Sequence, residues 1–534
     1  MFAASRFSDG GDLVKKMTAH GRAGEVNEAV ALFRRTHVKD QVSWNAMLSI
    51  FASSGHLAAA RNLFAEMPHR NAASYATMIA ALSRSSGAAE ARRVFDSMPI
   101  NCHNVFSWTA MITCYTHNRE PRRALELFSA TFGEFFEIEV LPNSYTFSAL
   151  LKAAAAASSL AAAKHVHAVV VKLLDEGRCS VYVQNALIHV HARLGNLPDA
   201  ELVFRRTRSK DLGTCNAMMD AYARRLLVHE AVAIFNSMKQ RDVLSWNIVM
   251  GGLGEAGRGE ETLGMFVQLL NQSPGPPPLN ASSYAIVLAA CGTLSRSELG
   301  RQVHGLAVKQ GFYPANTFVC NSLISMYASC GSEESSVRVF DEVPTRDVVS
   351  FNSLILGLGQ NGRSEEALEV AERALSCCNL YNPATFVAIL TSCSHGGLVR
   401  QGLEYFAAMG RRYGIDPSVD HYICVVDLLG RAGRVEEAYE LLRNSSLRAD
   451  SVAWTALLSA CLVHGNSAVA ESAAERISSM ELTAGGGGGA AGGYAMLAVA
   501  HARAGRMEEA EKVLDLLRQK GLRRGTGCSW IAPP

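Results

Sequence analysis

The sequence predicts an all-α fold, a solenoid of stacked helix-turn-helix repeats, and three observations predict it. A short motif recurs: Cys215-Asn216-Ala217-Met218 is echoed by Trp44-Asn45-Ala46-Met47, Trp108-Thr109-Ala110-Met111, Trp246-Asn247-Ile248-Val249 and Phe351-Asn352-Ser353-Leu354. The recurrence is phased, because Asn185, Asn216 and Asn247 are 31 residues apart, as are Asn321 and Asn352. The flanking residues are amphipathic with a helical period: Ala231, Ile234, Phe235 and Met238 fall at i, i+3, i+4 and i+7. A period of this length marks supersecondary units that bury their apolar faces only against their neighbours.

Each unit reads as two helices. In one of them Thr214 to Arg224 is the first helix and Val228 to Met238 the second. The apolar stripe returns in Ala60, Leu63, Phe64 and Met67, in Val94, Phe95 and Met98, and in Ala124, Leu127 and Phe128. Turns rich in Gly, Pro, Asn and Asp close the units, as in Met67-Pro68-His69-Arg70-Asn71 and Val343-Pro344-Thr345-Arg346-Asp347. The equivalent first-helix residues are Val14, Asn45, Ala76, Thr109, Ser148, Asn185, Asn216, Asn247, Ala285, Asn321, Asn352, Val387 and Ile423, spaced by 31 to 39 residues. Residues 10–450 then hold about thirteen repeats, behind a short segment, 1–9, and ahead of an extension, 451–534.

A chain of 534 residues is too long for one core, but an array can grow without one. The 49% hydrophobic content argues against disorder. No apolar stretch reaches the roughly 20 residues of a membrane span; the longest candidate, Leu150 to Leu174, contains Lys152, Lys164, His165, His167 and Lys172. A net charge of +2 is weak for a nucleic-acid binder, though a groove can be locally basic. The thirteen cysteines include no C-x-x-C, and Cys114, Cys215, Cys291, Cys330 and Cys461 sit in apolar helical patterns. They read as small core residues in a reducing compartment, with no disulfide frame, metal or cofactor. Zinc deaminases need H-x-E and C-x-x-C. Neither occurs, and His165-Val166-His167 and His189-Val190-His191 read as ordinary helix residues, since i and i+2 point to different faces. No catalytic centre is expected, so the chain is not expected to be an enzyme.

The mixture of unit lengths, with V-S-W-N-A-M openings and M-P-x-R-D or M-P-x-R-N closings, resembles plant pentatricopeptide repeat proteins. It is similar to the subclass that mixes ordinary, long and short repeats. Further matches are Gly300-Arg301-Gln302-Val303-His304-Gly305, Ser392-Cys393-Ser394-His395-Gly396-Gly397-Leu398-Val399, and Val426-Asp427-Leu428-Leu429-Gly430-Arg431-Ala432-Gly433-Arg434. Trp454-Thr455-Ala456-Leu457-Leu458-Ser459-Ala460-Cys461 and Gly527-Cys528-Ser529-Trp530-Ile531 resemble the family's E-type extension, without the deaminase domain that some members carry. The resemblance implies a right-handed superhelix. Two low-complexity runs interrupt it. Ser273 to Pro278 reads as a stiff surface loop, and Gly485 to Gly493 as a flexible linker within the extension.

The resemblance assigns base reading to the fifth residue of a repeat together with its last residue. The pairs are Asn45 with Asn71, Thr109 with Asn143, Asn185 with Asp211, Asn216 with Asp242, Asn247 with Asn280, Asn321 with Asp347, and Asn352 with Asn382. Between and beyond them come Ala76 with Asn104, Ser148 with Ser180, Ala285 with Asn316, Val387 with Ser418, and Ile423 with Asp450. An Asn amide supplies both a donor and an acceptor to a base edge, whereas Ala285, Val387 and Ile423 cannot hydrogen-bond a base. With the family's preferences, the repeats from Asn45 to Asn352 read 5′-Y-N-A-N-U-U-Y-N-U-Y-3′. The competing expectation is that these Asn and Asp residues only cap helices. Val42, Phe106, Tyr182, Phe318 and Val349, at the second position, either sandwich bases or pack the core. Trp44, Trp108, Trp246 and Trp454, at the fourth, are expected inside.

The resemblance implies a monomeric, membrane-free protein that binds single-stranded organelle RNA. It implies site recognition for C-to-U RNA editing, with the E-type region, including Tyr494 to Leu517, recruiting a deaminase-bearing partner in trans. Splicing or stabilisation of organelle RNA is the alternative, and a protein-binding scaffold a more distant one. Met1-Phe2-Ala3-Ala4-Ser5-Arg6-Phe7 suits the start of a transit peptide, or else a frayed end. The mitochondrion is the expected compartment, with the chloroplast as the alternative.

Overall fold

The computed structural model describes residues 5–36, 39–85, 87–99, 102–137, 142–173, 180–272, 278–377, 379–444, 451–484, 498–499, 501–502 and 505–519. Among them every regular element is helical and none is a strand. The helices come in consecutive pairs. The first unit begins with α1 (Ser5–Arg22) and α2 (Val26–Arg35), α3 (Gln41–Ser53) and α4 (Leu57–Glu66), α5 (Ala72–Ser85) and α6 (Ala88–Asp96), and α7 (Val105–His117) and α8 (Pro121–Glu137). It continues with α9 (Ser144–Ala156) and α10 (Leu160–Leu173), α11 (Val181–Arg193) and α12 (Leu197–Arg206), α13 (Leu212–Ala223) and α14 (Val228–Ser237), and the start of α15 (Val243–Glu255).

The second unit holds the rest of that helix and α16 (Gly259–Leu270), then α17 (Ala281–Thr293) and α18 (Ser297–Lys309), α19 (Thr317–Ser329) and α20 (Glu333–Glu342), and α21 (Val348–Gln360) and α22 (Ser364–Glu372). A π-helical turn, Arg373–Cys377, continues α22. After it come α23 (Pro383–Gly396) and α24 (Val399–Tyr413), α25 (Val419–Arg431) and α26 (Val435–Asn444), α27 (Ser451–His464) and α28 (Ser467–Ala484), and α29 (Met507–Gln519). The first 26 helices make thirteen hairpins. The two units are Met1–Gly252 and Leu253–Pro534.

Helix α1 begins at Ser5, so residues 5–9, expected ahead of the first repeat, belong to its first helix. Once a helix is nucleated, each added residue gains a hydrogen bond at little further cost, so the helix extends back beyond Gly10. The linker 485–493, the loop 273–277, Asp450 and the segment 527–531 lie outside the described residues.

Within each unit the odd helices stack on one another, α1 to α3 to α5 and onward to α13, and α17 to α19 and onward to α27. Even helices pack on their own partner and on the next odd helix, as α4 does on α3 and α5. The buried faces are those of the apolar stripe: Ala60 and Leu63 in α4, Ala91 and Phe95 in α6, Ala231 and Phe235 in α14. Burying one large side chain of this kind contributes about 1.5–3 kcal/mol.

Trp108, Trp246 and Trp454 are buried as expected, and Trp44 is half-buried against the same core. Four fourth-position rings meet an aromatic ring of the preceding even helix edge to face: Trp44 with Phe33, Trp108 with Phe95, Trp246 with Phe235 at 4.7 Å, and Phe351 with Phe340. Cys114, Cys215, Cys291 and Cys461 are buried and Cys330 half-buried, all with free thiols. The turn inside a hairpin needs one left-handed residue. Gly362 supplies it at φ 82°, and Leu226 adopts it at φ 58° without that freedom.

The closing sequences now have a physical explanation. In Met238-Lys239-Gln240-Arg241-Asp242 the Arg241 guanidinium stacks on Phe235, 4.6 Å from its centroid, and donates to the Phe235 and Asn236 carbonyls at 2.9 and 3.2 Å. Arg70 on Phe64 and Arg346 on Phe340 repeat the arrangement. A cation thus satisfies the free carbonyls and the negative end of one helix, and the next residue starts the following helix.

Candidate nucleic-acid interface

Asn45, Thr109, Asn185, Asn216, Asn247, Asn321 and Asn352 are each the fifth residue of an odd helix. The last residues all sit one step before an odd helix and cap it. The side-chain oxygen of Asn143, Asp211, Asn280, Asp347 or Asn382 accepts from the backbone N–H of the third helical residue. Asn71 does the same for Ser74 at 3.0 Å, and Asp242 for Ser245 at 2.8 Å. Capping is therefore general at these junctions, each cap being worth about 1 kcal/mol.

Capping does not exhaust what these residues do. The amide of Asn216 donates to the Asp242 carboxylate at 3.3 Å, Asn321 to Asp347 at 3.1 Å, Asn45 to Asn71 at 3.2 Å, and Asn352 to Asn382 at 3.4 Å. Asn185 Nδ2 and Asp211 Oδ1 both lie beside Gly213, and Asn185 helps to hold the Asp211 carboxyl low. Fifth and last residues thus meet as side chains across a repeat boundary. Thr109 and Asn143 do not meet directly: the Thr109 hydroxyl lies 2.8 Å from that of Thr146, which in turn donates to Asn143 at 3.1 Å. Asn247 and Asn280 fall in different units.

Burial pushes the Asp242 carboxyl up, but hydrogen bonds from the Ser245 backbone, the Ser245 hydroxyl and Asn216 outweigh it and hold it below the usual carboxylate range. Asp347 is lowered against the same opposing burial by Ser350 and Asn321, and Asp211 by Thr214 and Asn185. Anionic caps at helix N-termini are favoured by the helix dipole as well.

Open grooves run between consecutive odd helices, lined by odd-helix residues and their caps alone. One of 720 Å³ contains Thr109 between Phe106 and Tyr145. One of 810 Å³ contains Ser148 and Asn185 with Tyr145 and Tyr182. A third, of 450 Å³, contains Asn321 between Phe318 and Val349. Each groove pairs a fifth-position side chain with the second-position side chains of two successive repeats. Val42, Phe106, Tyr182, Phe318 and Val349 are exposed, which removes the core-packing reading for them. Tyr145, 78% exposed, and Leu244 belong to the same column and were missed, although each is the second residue of its helix.

The groove at Asn185 also carries Lys152, His189 and Arg193. Lys152 and Arg193 are exposed, and no ion pair engages either among the described residues. Such a groove fits a planar ring between two apolar side chains, a hydrogen-bonding edge at the fifth residue and an anion at its rim.

Among the described residues no group of three His, Cys, Asp or Glu side chains is placed to hold a metal. The paired histidines do more than occupy helix faces. His191 Nε2 lies 3.1 Å from His167 Nδ1 across a helix boundary, and burial followed by His167 pushes His191 down to about 4. No helix among the described residues is long and apolar enough to cross a membrane.

The family described as PPR repeat matches residues 42–71, 106–130, 185–212, 213–243, 244–272, 318–348, 349–377, 420–444 and 494–522. A putative pentatricopeptide repeat-containing protein of Arabidopsis thaliana is 31% identical over 560 residues, covering 91% of this chain and 83% of that protein. A mitochondrial pentatricopeptide repeat-containing protein of Arabidopsis thaliana is 33% identical over 429 residues, covering 80% of this chain and 60% of that protein. The chain spans between about half and two-thirds of the length of several such curated relatives. The crystal structure of the pentatricopeptide repeat protein PPR10 in complex with an 18-nt psaJ RNA element aligns over 96% of this chain and 80% of that one, with 17% identity and a TM-score of 0.48. By its recurring hairpins, its closing sequences, the family's repeat matches and the Arabidopsis thaliana relatives, the chain belongs to the pentatricopeptide repeat family.

Proposed function

We propose that this chain binds single-stranded RNA in a plant organelle and specifies cytidines for C-to-U editing, recruiting a deaminase in trans. The observation that supports RNA reading is the repeated groove. A fifth-position side chain, fixed by a capping residue, sits between the second-position side chains of successive repeats. An Asn amide that gives one N–H to its Asp keeps the other for a base oxygen, such as a uracil carbonyl. Stacking between second-position residues adds roughly 1–3 kcal/mol per base. Editing rests on the V-S-W-N-A-M repeats of mixed length and on the resemblance of α27 onward to an E-type extension. Relatives named mitochondrial and chloroplastic support an organelle; the mitochondrion is the compartment proposed, with the chloroplast as the alternative.

Two experiments test this in turn. With purified protein, Tyr182→Ala lowers affinity for RNA carrying Y-N-A-N-U-U-Y-N-U-Y by about tenfold or more. The melting midpoint stays unchanged, since Tyr182 is 80% exposed. Binding that is indifferent to both the variant and salt refutes RNA reading. In the plant, sequencing of all organelle transcripts from a null mutant shows loss of editing at cytidines preceded by that string. Intact editing with a missing spliced or processed transcript replaces the editing role by splicing or stabilisation.

A further inference from the structure

The third residue of each odd helix carries a hydroxyl in most repeats, and its bonding divides the Asn repeats into two kinds. In the first kind it is serine. Ser74 Oγ lies 2.7 Å from Asn45 Oδ1 and 2.9 Å from Asn71 Oδ1, Ser245 Oγ 2.8 Å from both Asn216 Oδ1 and Asp242 Oδ1, and Ser350 Oγ 2.7 Å from Asn321 Oδ1 and 2.9 Å from Asp347 Oδ1, so one hydroxyl proton is shared between the amide oxygen and the cap. The same hydroxyls accept from the backbone N–H of the cap, at 3.2, 3.4 and 3.2 Å. Each amide is then held at both ends, its N–H by the cap and its oxygen by the serine. Asn216 and Asn321 are only 6% exposed.

In the second kind the third residue is threonine. Thr214 donates to Asp211 at 2.7 Å and Thr385 to Asn382 at 3.2 Å, and neither reaches the preceding amide. Asn185 Oδ1 and Asn352 Oδ1 are buried without a hydrogen-bond partner. Threonine is stiff at χ1, and Thr214 and Thr385 hold their hydroxyls on the cap. Thr146 reaches the preceding fifth residue only where that residue is another hydroxyl, Thr109.

We propose that the third residue of an odd helix sets how strictly the preceding repeat reads its base. Serine ties the amide oxygen back and presents one fixed N–H. Threonine leaves an unpaired oxygen that gains by turning toward a donor on the base, so either end of the amide can face the RNA. With the same Asp cap, Asn216 and Asn321 therefore discriminate more sharply than Asn185, and with the same Asn cap Asn45 discriminates more sharply than Asn352. This inference rests on the base-reading role proposed above, and the serine and threonine act as positioning residues that need not touch the RNA.

The test is selection from a randomised single-stranded RNA library by purified full-length protein, read as a base preference at every position. Ser245→Thr keeps the cap, as Thr214 shows, and removes only the tie to Asn216. The expected result is a loss of about fivefold in preference at one nucleotide, the worth of one neutral hydrogen bond, with no change elsewhere or in melting midpoint. Thr214→Ser raises preference by a similar factor at the adjacent nucleotide. An unchanged preference in both variants, or a loss spread evenly over all positions, overturns the inference. Asn216→Ala separates the two layers. If it erases preference at its nucleotide while Ser245→Thr does not, only the positioning role falls; if it erases nothing, base reading and this inference fall together.

Discussion

The junctions at Asp242 and at Asn382 perform the same task with different strictness. Both residues cap an odd helix, Asp242 through the Ser245 N–H at 2.8 Å and Asn382 through the Thr385 N–H at 3.1 Å. Both accept from the preceding amide, at 3.3 and 3.4 Å. At Asp242 the acceptor is a carboxylate, the serine closes the network, and Arg241 finishes the helix before it. At Asn382 the acceptor is neutral, the amide oxygen of Asn352 is unpaired, and Tyr381 occupies the place of the arginine and packs on Tyr413. Capping is thus the shared grammar of the repeat, and a closed amide network is added to it at some junctions. The expectation that Asn and Asp only cap holds for the backbone and fails for the side chains.

The largest difference should appear when each cap is deleted. Asp242→Ala removes the cap, the amide acceptor and an anion at a helix N-terminus, and should cost about 2 kcal/mol. Asn382→Ala should cost about 1 kcal/mol. Hydrogen exchange of the first-turn amides of α15 and α23 measures both, and equal losses would erase the distinction. Arg241→Ala should cost about 1 kcal/mol through lost carbonyl bonds and cation–π contact. Exchange in the last turn of α14 reports it, and no change there would refute the C-terminal role of the arginine.

Asp242→Asn gives the first junction the neutral cap of the second and leaves Ser245 in place. The cap is kept while a charged hydrogen bond becomes neutral, so a loss of about 0.5 kcal/mol is expected. The smallest effect is the response to acid. Asp242 has a folded value below its unfolded one, so its contribution is complete above about pH 4 and is lost as pH falls through the lower folded value. The Ser245 amide should lose protection in that window and keep it in Asp242→Asn. The same loss in both proteins would assign the acid response to another group.

Much of this was legible in the sequence because helical period and turn chemistry are local. The phase counted from Asn45 to Ile423 lands on the fifth residue of an odd helix at every step, and the fourth-position tryptophans lie inside. The same locality hid other features. Second-position residues such as Phe106 are apolar, and composition alone does not separate an exposed aromatic from a core one. Tyr145 and Leu244 stood at the same register unnoticed. His167 and His191 looked like ordinary helix residues until two helices brought their rings together.

The sequence by itself determined where each helix starts, which stripe it buries and which residue caps it, since these depend on neighbours within about four positions. Only the tertiary structure decided that Asn216 meets Asp242 and Ser245, 26 and 29 residues away. Those contacts depend on how one hairpin seats on the next, and a difference of one methyl group, Ser245 against Thr214, accompanies whether the hydroxyl reaches the preceding amide as well as the cap.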